Sequence, residues 1–526
     1  MINDRYTKWI KLFTLFLIIG LLAHFELYTN HLTNPDGMTT GFWHQSTTWE
    51  VQLGRWGIYF IEFFRGFLCA PFLVTVISLI YMSFSILLIF KILNIQSISS
   101  RITLGVMMMV CPALAQTLSY YYCSDIYMLA MLLACGTVFF LKKENRSGYF
   151  WGILCMIGSL SLYQAYLGVV AGLCLFVLLL RLLHGDKIVD VLKQAGRFVS
   201  AGIIGLVIYY IIAYIFLKIK GLVFASYSGA DASVFSALFV WKNSIIAIYR
   251  NFWHFLFGED VYLIRNAYWH RGVFNGLCLL FFAGCVMYII KKNSIYKKLG
   301  RLVFLLFLII LIPFFLEIVR FITPERDIQL LMSFPLYLFW ALLIAVMEYG
   351  VSISGRYILS GQRVCTEYIV GVILFGINIL SWTYLLSDQA TYLYLNQTRN
   401  QTLNIAERML NQMDSLAGYE RDMPVLIAGT ISDNEYPLDS PLKKMSIGQM
   451  SEWGMFWQDH YGMKSCWCAL YKTYFGIDIN YCSDEEYKAI TNSTEFQKMN
   501  IFPSDSSVAI IDDTVVFKLS DHPVQP

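Results

Sequence analysis

The chain has 526 residues, of which 57% are hydrophobic and only 14% are charged, and its mean hydropathy is +0.57. Soluble domains carry roughly 25% charged residues, so this composition indicates a membrane protein. The formal net charge of +3 is small, and no basic patch with interleaved aromatic residues occurs in the sequence. Composition therefore argues against a soluble enzyme over most of the length, and against a nucleic-acid partner.

Long apolar runs recur through the first 386 residues and predict about eleven transmembrane helices. Most approach the roughly 20 residues that a helix needs to cross a bilayer. The first run is longer than a signal-peptide core, so we expect a permanent span. The segment around Cys111 and Pro112 is expected to be short or re-entrant. The predicted spans are residues 9–28, 70–93, 102–119, 122–141, 149–164, 166–183, 199–217, 271–290, 302–319, 329–349 and 366–386.

Lys and Arg are concentrated in alternate loops, for example at Lys142, Lys143 and Arg146. Cytoplasmic loops of membrane proteins carry the excess of positive residues, so we expect the N-terminus to be cytoplasmic. An odd number of spans then places the C-terminal part outside. Two longer external loops are expected, at residues 29–69 and 218–270.

Two segments outside the predicted spans show apolar residues at helical spacing. Residues 51–68 place Arg55, Glu62 and Arg65 on other faces, which predicts a helix on the outer membrane surface. Residues 186–198 show the same pattern on the inner surface.

The composition becomes polar after residue 386. Residues 390–413 have helical spacing, and residues 423–430 and 507–518 have the character of strands. We therefore expect residues 1–386 to form a membrane module and residues 387–526 a small external α/β domain. In an oxidising compartment, Cys466 or Cys468 is expected to bridge to Cys482. The predicted fold class is a mainly α polytopic membrane protein with this small domain at its C-terminus.

Asp36 is the first candidate for chemistry. It lies in Asn34-Pro35-Asp36-Gly37, a pattern typical of a β-turn. One interpretation is a solvated turn aspartate. The other is a carboxylate at the outer mouth of the bundle that acts as a general base.

Asp125 is the second candidate, because an ionisable residue inside a span is costly unless it faces a cavity or a partner. It follows Tyr122 near the outer end of its span. The alternative is a structural role, in which Asp125 ties neighbouring helices together.

Arginines and aromatic residues complete the external set. Arg55, Arg320 and Arg326 can bind phosphate through the planar guanidinium, or alternatively meet lipid head groups or pair with Glu325. Tyr163 and Gln164 form a polar aromatic island that fits sugar binding or an ordinary interfacial belt. No metal-site spacing and no nucleotide-binding motif occurs in the sequence.

Several short motifs together resemble the bacterial Gtr-type glucosyltransferases, a branch of the GT-C glycosyltransferase class, which modify O-antigen and related surface polysaccharides. The resemblance covers the whole chain in layout and depends on the order and sidedness of the motifs. These are NPDG at 34–37, GRW at 54–56, SDIY at 124–127, SLYQ at 161–164 and PER at 324–326.

The resemblance implies a multi-pass protein of the bacterial inner membrane that transfers a sugar, glucose by expectation, outside the cytoplasm with inversion. The donor would be a polyprenyl-phosphate-sugar, and the acceptor a polysaccharide or lipid-linked glycan. Asp36 would be the base, with Asp125 as a second carboxylate. Arg326, Arg55 and Arg320 would bind the donor phosphate.

For the sugars, the expected contacts are Tyr163, Gln164, Tyr122 and Glu325. No cofactor is assigned, and dependence on a divalent cation is left open. The alternatives are a transporter or flippase of lipid-linked sugars, or a non-catalytic glycan-assembly protein. The sequence contains no internal repeat of the kind that many transporters show.

Overall fold

The fold is described from a computed structural model of the chain. Its described residues are 2–46, 48–225, 234–257, 270–322, 329–354, 360–430, 440–447 and 459–526. Glu325 and Arg326 lie outside these ranges. The longer helices of the bundle are Ile2–Ala23, Pro71–Leu93, Ile98–Met109, Pro112–Ser119, Ser124–Leu141, Arg146–Leu162, Leu167–His184, Ile188–Lys220, Val234–Phe257, His270–Lys292, Leu299–Ile310, Phe334–Ser354 and Ser360–Asp414.

Within the described ranges, eight helices are long and apolar enough to cross a membrane, or up to nine when one bent pair counts as a span. That pair, Ile98–Met109 and Pro112–Ser119, is bent by 42° at Pro112, where proline begins a new helix. Predicted span 149–164 coincides with the 17-residue helix Arg146–Leu162. Predicted span 302–319 is broken, because short helices Ile312–Leu316 and Ile318–Ile322 follow Leu299–Ile310. The prediction of a mainly helical polytopic membrane protein is confirmed.

The bundle has buried central helices and exposed peripheral ones. Residues 330–354 are almost entirely buried, and their helix is apolar on all sides. In contrast, Ile188–Lys220 exposes apolar side chains such as Ile203, Val207 and Ile211 along its length. Continuous exposed apolar faces of this kind are stable against lipid.

Two predicted surface helices are corrected by the structure. Residues 186–198 form no separate helix, because Ile188–Lys220 runs without a break into the next span. Residues 51–68 form two short helices, Thr48–Gln52 and Ile58–Arg65, separated at Gly54, which has a φ of +76°. Only glycine adopts such a φ without cost.

In the helix Ile58–Arg65, the charged side chains point in a different direction from the one predicted. Glu62 is fully buried and accepts a hydrogen bond from the Ser46 backbone N–H at 2.7 Å. Arg65 points inward as well, with 4% of its side chain exposed. The outward face instead carries Phe63 and Phe64. The expected faces are therefore wrong. An exposed aromatic face suits a membrane interface, and the location on the outer surface stays a prediction.

The last span continues far beyond the bundle. Helix Ser360–Asp414 has 55 residues, about 82 Å at 1.5 Å per residue, and includes the predicted helical segment 390–413. Four side chains tie it to the region after the first helix. Tyr392 contacts His24 at 2.7 Å, Gln389 donates to the Ala23 carbonyl at 2.6 Å, and Arg399 donates to the Asn30 carbonyl at 2.5 Å. Asn396 donates to Glu26 at 3.2 Å.

The C-terminal region contains a three-stranded sheet with the order β1-β3-β2, where β1 is Val425–Ala428, β2 is Val508–Ile511 and β3 is Thr514–Lys518. Strand β3 is central and fully buried, parallel to β1 and antiparallel to β2. Asp512 and Asp513 both have positive φ, as a tight hairpin turn requires. The predicted strands are confirmed. The described helices of this region are Pro441–Lys444, His460–Leu470, Tyr471–Phe475, Asp484–Thr491, Thr494–Lys498 and Asp505–Ser507.

The expected disulfide is absent from the structure. No disulfide joins Cys466, Cys468 or Cys482 to one another. Cys466 packs in the large hydrophobic core, whereas Cys482 packs in a separate small cluster behind the sheet. The two buried side chains therefore serve packing in different cores, as small hydrophobic residues do.

Candidate active site

Asp36 lies in the first turn of a short helix, Pro35–Thr40, so the predicted β-turn is the start of this helix instead. Pro35 occupies the first helical position, and the Asn34 side chain accepts a hydrogen bond from the Gly37 N–H at 3.0 Å. This is a standard N-terminal cap, and it explains why the same four residues fit both a turn and a helix start.

The inward face of the helix Pro35–Thr40 makes close contacts that fix its position. The Tyr121 hydroxyl donates to the Gly37 carbonyl at 2.8 Å and also contacts the Gly41 carbonyl at 3.1 Å. A Cβ atom at Gly37 would lie 1.9 Å from Thr33 Oγ1. Only glycine therefore fits at position 37 while the helix keeps this packing against Thr33.

The Asp36 side chain is half-buried, and no hydrogen bond or ion pair to its carboxylate occurs among the described residues. Only its backbone carbonyl is engaged, by the hydroxyls of Thr39 and Thr40. Burial raises the pKa of Asp36 above its ordinary value. A carboxylate without a partner and with a raised pKa is suited to accept a proton.

Tyr120 and Tyr122 lie near enough to this carboxylate to feel its charge. Burial, and then the neighbouring Asp36 charge, raise the pKa of Tyr120. The Tyr120 ring lies 6.2 Å from the Tyr122 ring and 6.5 Å from the Tyr127 ring. Tyr127 in turn stacks on Tyr163 with a centroid distance of 4.1 Å. The aromatic cluster thus extends from Asp36 to the predicted Tyr163 island.

Arg55 lies on the far side of the tyrosine cluster. Its guanidinium is 5.1 Å from the centre of the Tyr163 ring, and Nη1 donates to the Tyr127 hydroxyl at 3.3 Å. The buried Nε has no hydrogen-bond partner among the described residues. The Arg55 guanidinium is therefore held by Tyr127 and Tyr163, at the opposite end of the tyrosine cluster from Asp36.

Gln164, predicted to contact a sugar, makes two hydrogen bonds within the protein. Its amide nitrogen donates to the Leu53 carbonyl at 2.9 Å and to the Tyr209 hydroxyl at 2.8 Å. Tyr209 also donates to the Gly54 carbonyl at 3.1 Å. Gln164 and Tyr209 thus hold the backbone next to Arg55, and the sugar contact of Gln164 stays a prediction.

Asp125 forms a buried ion pair with Arg65 at 2.6 Å. Arg65 also donates to the Tyr122 carbonyl at 2.7 Å. This is the tie between elements that the structural interpretation of Asp125 expects. No local sequence pattern links Asp125 to Arg65, because the two residues are 60 positions apart.

A second buried acidic group was also missed. Glu62 contacts the side chains of His44 and Ser46, and His44 is 3.7 Å from Glu50. The His44 ring lies 5.2 Å from the Tyr122 ring. Glu62 therefore secures the segment between Asp36 and Arg55.

Arg320 lies beside Glu317 and makes none of the contacts described above for Asp36 and Arg55. Its Nε lies 3.6 Å from buried Glu317, which lines a small cavity with Asn251, Leu330 and Tyr337. Glu325 and Arg326 lie outside the described residues, so their predicted roles stay predictions. Gln329, the first described residue after them, accepts a hydrogen bond from Tyr120 at 3.2 Å.

The C-terminal region covers the Asp36 helix. Helix His460–Leu470 packs directly against Pro35–Thr40. A Cβ at Gly41 would approach Thr473 Oγ1 to 3.5 Å. The polar C-terminal region and the Asp36 helix therefore lie at the same end of the bundle. Within the described ranges, no cluster of three or more His, Cys, Asp or Glu side chains has the arrangement of a metal site.

Comparison with known proteins gives one match. The family described as Glucosyl transferase GtrII matches residues 25–347, which include Asp36, Arg55, Asp125, Tyr163 and Arg320. No curated protein and no solved structure matches the chain. The match spans more than half of the 526 residues and agrees with the apolar helices of a membrane glycosyltransferase. The chain belongs to the GtrII glucosyl transferase family.

Proposed function

We propose that this glucosyltransferase takes glucose from a polyprenyl-phosphate donor and transfers it, with inversion, to a hydroxyl of a surface polysaccharide or lipid-linked glycan. The reaction would occur on the extracytoplasmic side, at the end of the bundle where Asp36 lies. A polyprenyl tail needs apolar protein surface or lipid, whereas the acceptor hydroxyl needs a hydrated entry. The exposed aromatic side chains Phe63 and Phe64, on the helix that ends at Arg65, support a site at this boundary.

The observation that carries the proposal is the unpartnered, half-buried Asp36 carboxylate beside the tyrosine cluster. In the proposed step, the acceptor oxygen attacks C1 of the glucosyl group from the face opposite the phosphate. The proton of the acceptor hydroxyl passes to Asp36 as the new C1–O bond forms. The bond between C1 and the phosphate oxygen breaks, and its electron pair leaves with the polyprenyl phosphate. One displacement of this kind inverts the configuration at C1.

Arg55 is the described residue best placed to stabilise the departing phosphate. Its guanidinium is held over the Tyr163 ring, and its Nε has no hydrogen-bond partner among the described residues. Negative charge grows on the phosphate in the transition state, where fixed donors contribute most to the rate. Arg326 and Arg320 are proposed as further phosphate contacts, and Glu325 as a sugar contact.

Tyr122 and Tyr163 are proposed to present ring faces to the sugars. Asp125 is proposed to act through Arg65, which holds the backbone of Tyr122, and thus as a positioning residue. Gln164 is proposed to position Arg55 in the same indirect way.

The test is transfer of radiolabelled glucose from polyprenyl-phosphate-glucose to a glycan acceptor by the purified full chain, with and without EDTA. Asp36→Asn should lower the rate by about 10²–10⁴-fold, because the general base is lost while the shape is kept. Asp478→Asn is the matched control, since Asp478 is 80% exposed and pairs only with Lys472 on the surface. An Asp36→Asn rate equal to that of the control would refute the base, and turnover with a nucleotide sugar alone would refute the lipid donor.

A further inference from the structure

An open cleft of about 620 Å³ lies at the end of the bundle opposite Asp36. It is lined by residues of three helices, Arg146–Leu162, Leu167–His184 and Ile188–Lys220. Helix Ser124–Leu141 runs from the proposed active site to the cleft. At its first turn Asp125 pairs with Arg65, and at its last residue the Leu141 carbonyl accepts a hydrogen bond from Arg197. The 18 residues of this helix separate the sites by about 27 Å. The cleft is thus distinct from the proposed active site.

Four cations and two acids line this cleft. The acids are already paired, since Glu144 lies 2.5 Å from Arg181 and Asp190 lies 3.8 Å from Lys193. Arg181 also forms an ion pair with Asp186, in which Nε lies 2.7 Å from Oδ2. Two lining cations, Arg146 and Arg197, have no ion-pair partner among the described residues. The cleft therefore has an excess of positive charge.

Arg197 is held rigidly. Its guanidinium donates to the carbonyls of Leu141, Lys143 and Asn145 at 3.0, 2.9 and 2.6 Å. It also lies over the Tyr149 ring at 4.9 Å. Neutral carbonyls orient the arginine without cancelling its charge, so a fixed cation faces the cleft. The N-terminus of helix Arg146–Leu162 adds its partial positive charge at the same place.

The flanks of the cleft are apolar. Phe150, Trp151 and Leu154 follow Tyr149 along one helix, and all three are exposed. Val199 and Ile203 flank Ser200 on the neighbouring helix and are exposed too. A cationic cleft that continues into exposed apolar helix faces matches a molecule with an anionic head and acyl chains. Basic pockets between membrane helices are known to bind such head groups.

We infer that this cleft binds the phosphate head group of an anionic membrane lipid, with the acyl chains along the flanking apolar faces. The volume lies within the roughly 300–1,000 Å³ of ligand sites. Arg146 and Arg197 supply the charge that the lipid phosphate balances. A free phosphate ion would use the same cations but would gain nothing from the apolar flanks, so the lipid is the expected source of the anion.

The experiment uses the full chain purified in a neutral detergent and titrated separately with phosphatidylglycerol, phosphatidylethanolamine and inorganic phosphate. Native mass spectrometry counts retained lipid, and thermal unfolding reports stabilisation. Phosphatidylglycerol should be retained in preference to phosphatidylethanolamine. Arg146→Gln should weaken its binding about fivefold, and Arg146→Gln with Lys193→Gln should weaken it further. Both side chains are exposed, so these variants should fold.

Lys297→Gln is the matched control, because it removes an equal charge from an exposed position outside the cleft. Its phosphatidylglycerol binding should equal that of the parent chain. Equal binding by Arg146→Gln and the parent chain would overturn the inference. Stabilisation by inorganic phosphate without retention of phosphatidylglycerol would likewise overturn the lipid assignment.

Discussion

At the scale of single residues, Asp36 and Asp125 lie near the same end of the bundle in different surroundings. Asp125 is buried and paired with Arg65 at 2.6 Å. Asp36 is only half-buried, and its carboxylate has no partner among the described residues. Both patterns looked suited to chemistry in the sequence. A paired carboxylate is less available as a base, so we propose Asp36 and not Asp125 for proton transfer.

The raised pKa of Asp36 predicts that the ionised carboxylate lowers the stability of the folded protein at neutral pH. Folding disfavours the ionised side chain, so the contribution of Asp36 to stability is greatest at low pH and is lost as pH rises through the folded-state pKa. Asp36→Asn should therefore raise the Tm at neutral pH, and this gain should shrink on acidification. Parent activity should fall on acidification at a higher pH than an ordinary aspartate would give. Thermal unfolding and rate against pH measure both, and a lowered Tm in Asp36→Asn at neutral pH would contradict the prediction.

The Arg65–Asp125 pair predicts a strong dependence of stability on its partner. Arg65→Met leaves a buried carboxylate unpaired and should cost about 3–5 kcal/mol. The double variant Arg65→Met with Asp125→Leu removes both charges and should recover much of that loss. Thermal unfolding of the two single variants and the double variant provides the measurement. Full activity in a folded double variant would exclude any direct catalytic part for Asp125.

At the scale of elements, glycines and prolines decide where the first external loop turns. Pro35 starts the Asp36 helix, and Gly54, with its φ of +76°, separates the two helices that the periodicity had joined. Apolar spacing indicates a helix but does not show a break within it. Tertiary contacts to Gln164 and Tyr209 fix this break, and these residues come from distant segments.

Gly37 gives the prediction at this scale. Gly37→Ala would place a Cβ 1.9 Å from Thr33 Oγ1, so the helix that carries Asp36 must shift. The expected result is a loss of about 1–3 kcal/mol of stability, together with lower activity. Gly202→Ala is the control, since nothing lies within 4 Å of its Cβ position and alanine favours a helix. Thermal unfolding and transfer assays should show losses for Gly37→Ala but not for Gly202→Ala. Equal stability and equal activity of the two variants would show that position 37 has room for a Cβ.

At the scale of the whole molecule, the C-terminal region forms part of the surroundings of the proposed site. Helix His460–Leu470 packs on the Asp36 helix, and the 55-residue helix binds residues 23–30 through several side chains. The proposed external location of Asp36 thus requires the C-terminal region to be external too. The lipid cleft must then lie on the cytoplasmic side.

This arrangement predicts the sidedness of chemical labelling in intact cells whose outer barrier is permeabilised. Lys472→Cys, at a position 68% exposed, should react with a membrane-impermeant thiol reagent from outside. Lys193→Cys, at a position 75% exposed, should react only after the inner membrane is opened. The parent chain gives the background from its native cysteines. The reverse pattern of labelling would show that the proposed orientation is inverted.

By itself, the sequence determined the class of the protein, most of its helices and the strands near its end. Apolar runs and strand alternation are local patterns that follow directly from burial and backbone geometry. The resemblance drawn from motifs such as NPDG, GRW and SLYQ named the family that the comparison then matched over residues 25–347. These features need no knowledge of how distant segments meet.

Only the tertiary structure decided which polar residues are paired and which are left available. The pairing of Asp125 with Arg65, the burial of Glu62 and the anchoring by Gln164 all join segments far apart in sequence. The separation of Cys466 and Cys482 into two cores was decided in the same way. Hydrogen bonds and ion pairs act over a few ångströms in space, whatever the distance along the chain, so residue type and local spacing could not predict them.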